Sequence, residues 1–213
     1  MNYKVLSMEE KDPYSELQSI RALMERSSKF ISLSGLSGIM AGVYALVGSA
    51  IAYVLVFGGD SGMDAGNYDS DEPAFLNSMV FIALSVLLLS LFTGIWLTIR
   101  KARKKGEEFW SAGSKRLLIN MVIPLFTGGI FILILLFRGH YEIIVPACLI
   151  FYGLALVSAS HYTLSDVRWL GFSEIVLGLL AALVPGYGPV FWVIGFGFLH
   201  IFYGSIMYFK YDR

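Results

Sequence analysis

At 213 residues the chain is of single-domain size, but charged residues make up only 15% of it and its mean hydropathy is +0.68, against about a quarter charged in soluble domains. Its 16 basic and 16 acidic residues cancel, which excludes nucleic-acid binding driven by overall charge. This is the composition of a membrane protein.

In chain order, the first element is a short helix over 13–29. Asp12 is placed to cap it, Pro13 opens it, and Leu17, Ile20 and Met24 recur at helical spacing. It reads as an interfacial anchor on the cytoplasmic surface, with a docking helix for a soluble partner as the alternative. The first 29 residues are too charged, and lack the apolar run, for a cleavable signal peptide. The remainder, 30–213, forms one transmembrane domain. About 20 helical residues cross a hydrocarbon core of roughly 30 Å, and six windows qualify: 31–57, 75–99, 117–137, 143–164, 169–187 and 189–209. Helices are expected and a barrel is not, because runs such as Phe81 to Phe92 lack the alternating polarity of barrel strands.

Charge orients the six. Residues 58–74 carry Asp60, Asp64, Asp69, Asp71 and Glu72 and no Lys or Arg, whereas 100–116 carries Arg100, Lys101, Arg103, Lys104, Lys105, Lys115 and Arg116. The positive-inside rule then puts the N-terminus, the 100–116 loop, the 165–168 turn and the C-terminus in the cytoplasm, with Arg138 outside. Arg100, Lys101, Arg103, Lys104 and Lys105, beside Phe109 and Trp110, are expected to meet anionic lipid headgroups. The acidic segment has a solvated-loop composition without the register of a calcium-binding loop. Cys148, the single cysteine, falls in the fourth span as a packing residue.

The sequence also repeats. Gly35-Leu36-Ser37-Gly38-Ile39, with Gly42 and Ala45, aligns without a gap on Gly171-Phe172-Ser173-Glu174-Ile175, with Gly178 and Ala181, five of eleven positions being identical. Ser114-Lys115 with Gly128 lies over Ser28-Lys29 with Gly42 as a third, weaker copy. Three in-out-in hairpins of parallel topology follow, pairing spans 1 with 2, 3 with 4 and 5 with 6.

Leu170-Gly171, Gly178, Pro185-Gly186, Gly195 and Gly204 form a glycine-spaced helix, a Pro-Gly turn and a returning glycine-spaced helix. This pattern resembles the repeat unit of the HdeD-like bacterial membrane proteins over 165–209 and extends to 31–57. The resemblance implies a six-span protein of three hairpins, associated with acid resistance and without an assigned chemical activity. The N-terminal helix and the long acidic and basic loops depart from the compact family pattern.

Ionisable side chains are scarce in the spans, and such residues default to functional candidates. Glu174 lies between Gly171 and Gly178 in the fifth span, and His200 between Gly197 and Gly204 in the sixth, each on one helical face with its glycines. Small residues mark close helix approach, so a glycine-lined seam of the last hairpin should hide both. Counting about 1.5 Å per residue puts them roughly one turn apart in depth, which allows a Glu174–His200 pair; the alternative has Glu174 bonding Ser or Tyr hydroxyls. His161, Asp166 and Arg168 form a second candidate cluster at the cytoplasmic side, while His140 beside Glu142 is at the opposite end. No catalytic, cofactor-binding or metal-binding pattern occurs: there is no H-E-x-x-H, and Ser32, Ser34 and Ser37 have no positioned base. Trp96, Trp110, Trp169 and Trp192 take belt positions, and Pro124, with Thr127, Gly128 and Gly129, predicts a kink in the third span.

The expected function is that of a non-enzymatic six-helix protein of the bacterial inner membrane, N-in and C-in, acting in envelope stress response or as a regulatory partner, either with another protein or as a homo-oligomer. The alternative is a small proton- or ion-coupled transporter or channel using Glu174 and His200, with His161 on the same path. An enzyme is the least favoured class.

Overall fold

The computed structural model of the chain describes residues 33–57, 73–106 and 108–213. The helix expected over 13–29 and nearly all of the acidic segment 58–74 lie outside the described residues, as do Ser28, Lys29 and Ser32.

The described residues form helices and turns, with no strand among them. Helix α1 is Gly35–Phe57, α2 is Pro73–Lys104 and α3 is Ala112–Phe137. Helix α4 is Ile144–Ala159, flanked by single 3-10 turns at Tyr141–Ile143 and Ser160–Tyr162, and α5 is Asp166–Leu183. Helix α6, Gly188–Asp212, changes pitch along its length. It is α over Gly188–Trp192, π over Val193–Leu199, α again over His200–Met207 and π over Tyr208–Asp212.

Five of the six are long and apolar enough to cross a bilayer: α1, α2, α3, α4 with its flanking turns, and α6. Helix α5 is 18 residues long and carries Asp166, Arg168 and Glu174 within that length. The long α2 runs five residues past the expected end of the second span, so the first part of the basic segment is helix rather than loop.

Local chemistry sets the ends. Ser111 caps α3, its hydroxyl accepting from the Ser114 N–H at 3.2 Å. At the other end the His140 N–H donates to the Leu135 carbonyl and the Gly139 N–H to the Leu136 carbonyl, a Schellman closure. That closure needs a left-handed residue, and Gly139 supplies it with φ 73°. The Pro-Gly turn between α5 and α6 likewise places Gly186 at φ 87°. Helix α3 runs unbroken through Pro124, Gly128 seats Phe151 of α4, and Gly129 faces open space rather than a cavity.

Packing gives an order in which α1 lies between α2 and α6, and α4 between α3 and α5. Direct packing between α5 and α6 is much slighter than that of α6 on α1 or of α5 on α4. The glycines explain why. A Cβ on Gly171 would stand 2.8 Å from the Gly153 carbonyl oxygen of α4, and one on Gly204 would stand 2.6 Å from the Ile39 nitrogen of α1. Gly178 meets Ile150 of α4, and Gly42 of α1 meets Ile201 of α6. The single seam expected within the last hairpin is therefore two seams, α4–α5 and α1–α6. Each brings backbone against backbone, as small residues allow in membranes.

The apolar core cluster of Leu156, Leu164, Val167, Leu170 and Met207 joins α4, α5 and α6 near the chain's C-terminus. Outward, Phe81, Phe92, Phe126 and Phe137 are exposed on α2 and α3. Only 6% of the most apolar stretch of each of these two helices is buried, against 44% for α4. An apolar exterior of this extent needs an apolar solvent.

Candidate functional site

Glu174 sits one turn after Gly171 on α5, and the close approach of α4 at that glycine leaves it no path outward. Its exposure is 0%. His200 begins the second α segment of α6 and is also buried. Its Nδ1 stands 3.4 Å from Glu174 Oε1, so the two side chains are brought together. That separation is within ion-pair range but beyond a good N–H···O bond.

The imidazole has better partners. Nδ1 is 3.0 Å from the Gly195 carbonyl oxygen, which can only accept, so Nδ1 carries a proton. Nε2 lies 2.8 Å from the Tyr152 hydroxyl, and in the neutral ring it accepts the phenol's O–H. Tyr152 also stacks on the ring at a centroid distance of 5.3 Å, and Phe196 packs on both. The Gly195 carbonyl belongs to the π segment Val193–Leu199, a departure from α geometry of the kind that recurs at functional positions.

Glu174 has no such partners. Both carboxyl oxygens are buried without a hydrogen bond. It bonds no Ser or Tyr hydroxyl; the Tyr152 phenol goes to His200 instead. Its walls are apolar: a Cβ on Gly195 would meet Glu174 Oε2 at 2.7 Å and Leu149 at 2.5 Å. A lone charge in such a place costs about 3 kcal/mol or more. Only two charge-balanced states are open to the pair, neutral acid with neutral imidazole, or carboxylate with imidazolium. Because Nδ1 already carries its proton toward Gly195, the second state requires a proton on Nε2, where the Tyr152 hydroxyl stands.

Sequence spacing pointed to Glu174 and His200 but missed Tyr152 and Gly195. Tyr152 is a lone phenol at mid-span and Gly195 is two residues from Gly197. Neither signal reveals which helix the residue faces.

The second candidate cluster does not assemble. Asp166 turns toward α6, accepting from the Tyr211 hydroxyl at 2.7 Å and from Lys210 at 3.1 Å. Burial works to raise the Asp166 carboxyl, but the Tyr211 and Lys210 hydrogen bonds and the Lys210 charge outweigh it, leaving it below its ordinary value. His161 and Arg168 are exposed, and no hydrogen bond or ion pair joins either to Asp166 among the described residues. The Arg168 guanidinium lies instead over the Phe172 ring, 5.4 Å from its centroid.

The basic set also divides. Arg100, Arg103, Lys104 and Lys105 are exposed. Lys101 is not a headgroup-facing cation: it pairs with Asp212 and donates to the Leu33 carbonyl at 2.6 Å. Asp212 also accepts from the Gly35 N–H at 3.0 Å and the Ser34 hydroxyl at 3.3 Å. This one carboxylate ties the start of α1 to the ends of α2 and α6. Among the described residues, no group of three or more His, Cys, Asp or Glu is placed to hold a metal ion.

No family model, no curated protein and no solved structure matches the chain.

Proposed function

We propose that the chain is a non-enzymatic, six-span protein of a bacterial-type inner membrane. Both ends are cytoplasmic, and it acts as a regulatory or interaction partner in envelope stress. In this reading α5 is the sixth span, buried enough by α4 to carry its charges across. The spans form three in-out-in hairpins as in the HdeD-like proteins. The equivalence of Gly35 and Gly42 with Gly171 and Gly178 supports that arrangement, because Gly35 and Gly42 seat α6 as Gly171 and Gly178 seat α4.

The observation that carries the reading is the closure of Glu174. Glu174 has no exposed surface, while among the described residues the exposed cations other than Arg138 lie at the opposite end from that arginine, most densely on the last turns of α2. A closed core with its distinctive chemistry at one face suits contact with another molecule better than passage through the bundle. Anionic headgroups, and a protein partner or second copy, are the molecules such a face would meet. Purified protein in proteoliposomes should pass no more protons or monovalent cations than empty vesicles, and crosslinking in cells through the basic face should capture a defined species. Flux above that baseline would overturn the proposal.

A transporter using Glu174 and His200 is the second reading, favoured by the two unbonded oxygens of a buried acid. It requires flux that disappears in Glu174→Gln.

A further inference from the structure

The last turns of α2 carry their charges on two faces. Leu97, Thr98 and Ala102 are buried, and Lys101 joins them by pairing with Asp212. The opposite face presents an open groove lined by Trp96, Ile99, Arg100, Arg103 and Lys104. At 100° per residue, these positions fall on one side of the helix. Arg100, Arg103 and Lys104 stand at i, i+3 and i+4, close enough to share one anion. Among the described residues, no acid is paired with any of the three.

The same face continues into the bilayer. Leu88, Leu89, Phe92 and Trp96 are all more than half exposed. From Leu88 to Trp96 the rise is about 12 Å, close to half of a roughly 30 Å hydrocarbon core. The Arg100 guanidinium lies over the Trp96 ring at 5.7 Å, a cation–π contact that fixes its direction and leaves N–H donors free. Among the described residues, α2 packs chiefly on α1, which lies on its other side.

We propose that the outer face of α2 is a binding site for one anionic phospholipid, its phosphate held by Arg100, Arg103 and Lys104 and an acyl chain laid along Leu88, Leu89, Phe92 and Trp96. A monoanionic phosphodiester with a small headgroup meets the charge of the three cations without a competing ammonium. A zwitterionic lipid brings its own cation to the same place. The site rests on the reading of this end as the headgroup-facing end, and it goes beyond that reading in assigning one lipid to one face.

Native mass spectrometry of the full chain tests the site with phosphatidylglycerol and phosphatidylethanolamine as probes. One phosphatidylglycerol should be retained after the others are stripped. Replacing Arg100, Arg103 and Lys104 together by Gln should weaken that retention by about tenfold or more. The same three-charge removal at Lys115, Arg116 and Arg168 should leave it unchanged. Equal loss in both triple variants would reduce the effect to diffuse attraction and overturn the site, as would equal retention of the zwitterionic lipid. Competition by inorganic phosphate at millimolar concentration would assign the cations to a free anion instead.

Should the triple variant fail to fold, quenching decides. With Trp110, Trp169 and Trp192 changed to Phe, Trp96 should be quenched more strongly by brominated phosphatidylglycerol than by brominated phosphatidylethanolamine; equal quenching overturns the proposal. Sidedness is tested separately by one-sided labelling of Glu108→Cys in a Cys148→Ala background. A wrong orientation and an absent lipid site therefore give different results.

Discussion

Asp212, partly buried, and Glu174, fully buried, are two acids of a lipid-facing bundle, and each lies near one basic side chain. They are satisfied in opposite ways. Asp212 pairs with Lys101, accepts the first N–H of α1 and takes the Ser34 hydroxyl, so each oxygen has a donor and three helices depend on it. Glu174 faces His200 at 3.4 Å, and neither of its oxygens is bonded. The bonded acid is the one placed to hold the bundle together. A fully bonded pair is costly to break and suits a clamp, whereas a buried acid without hydrogen bonds adds nothing to stability.

Four substitutions test this contrast, each by thermal unfolding in one fixed detergent. The largest effect is expected for Asp212→Ala, which leaves the partly buried Lys101 without its counter-charge and the start of α1 without its acceptor, at a cost of about 3 kcal/mol. Adding Lys101→Met should restore most of the loss, and no restoration would mean the α1 capping bond dominates.

Next comes His200→Phe, which keeps the ring volume but strips partners from the Tyr152 hydroxyl and the Gly195 carbonyl, at about 1–2 kcal/mol. Glu174→Gln should stay within about 1 kcal/mol of the parent, because no bond is lost. A loss as large as that of His200→Phe would show Glu174 to be bonded after all, and the contrast would fail. Infrared spectroscopy adds a readout that stability cannot give: a protonated-carboxyl band lost in Glu174→Gln and moved in His200→Phe identifies the charge state of the pair.

The smallest effect concerns Asp166. Its carboxyl is held below its ordinary value by Tyr211 and Lys210 against the opposing pull of burial, so its contribution is present above the ordinary carboxylate range. It is lost as pH falls through the lowered value. Lys210 is half exposed, with 52% of its side chain accessible, so solvent screens the clamp and its contribution is small. Asp166→Asn should flatten the acid limb of the stability curve and leave stability at neutral pH slightly reduced.

Some of these features are legible in the sequence. Six windows qualify on apolar length, five of them helices long and apolar enough to cross a bilayer, and the spacing of Gly171, Glu174 and Gly178 marks a face of close approach. The rest was not legible because it depends on partners. Lys101 looks like its neighbours in a run of cations, yet the extension of α2 to Lys104 rotates it by about 100° from Arg100 toward the core. Asp166 sits near His161 and Arg168 in sequence, but its bonding partners come from the far end of α6. Glycines at four-residue and seven-residue spacing announce a seam without naming its other side. Gly171 met α4 and Gly204 met α1, although sequence order put α5 and α6 together.

The order of residues alone determined the solvent this protein needs, since uninterrupted apolar runs cannot fold into water, and it determined which few polar groups would be costly in lipid. Which groups meet was decided only by tertiary packing. Helices in hydrocarbon gain nothing by hiding apolar surface from one another, so their neighbours are chosen by how closely backbones fit and by which polar atoms find donors. Those are properties of pairs of helices, and no single stretch of chain contains them.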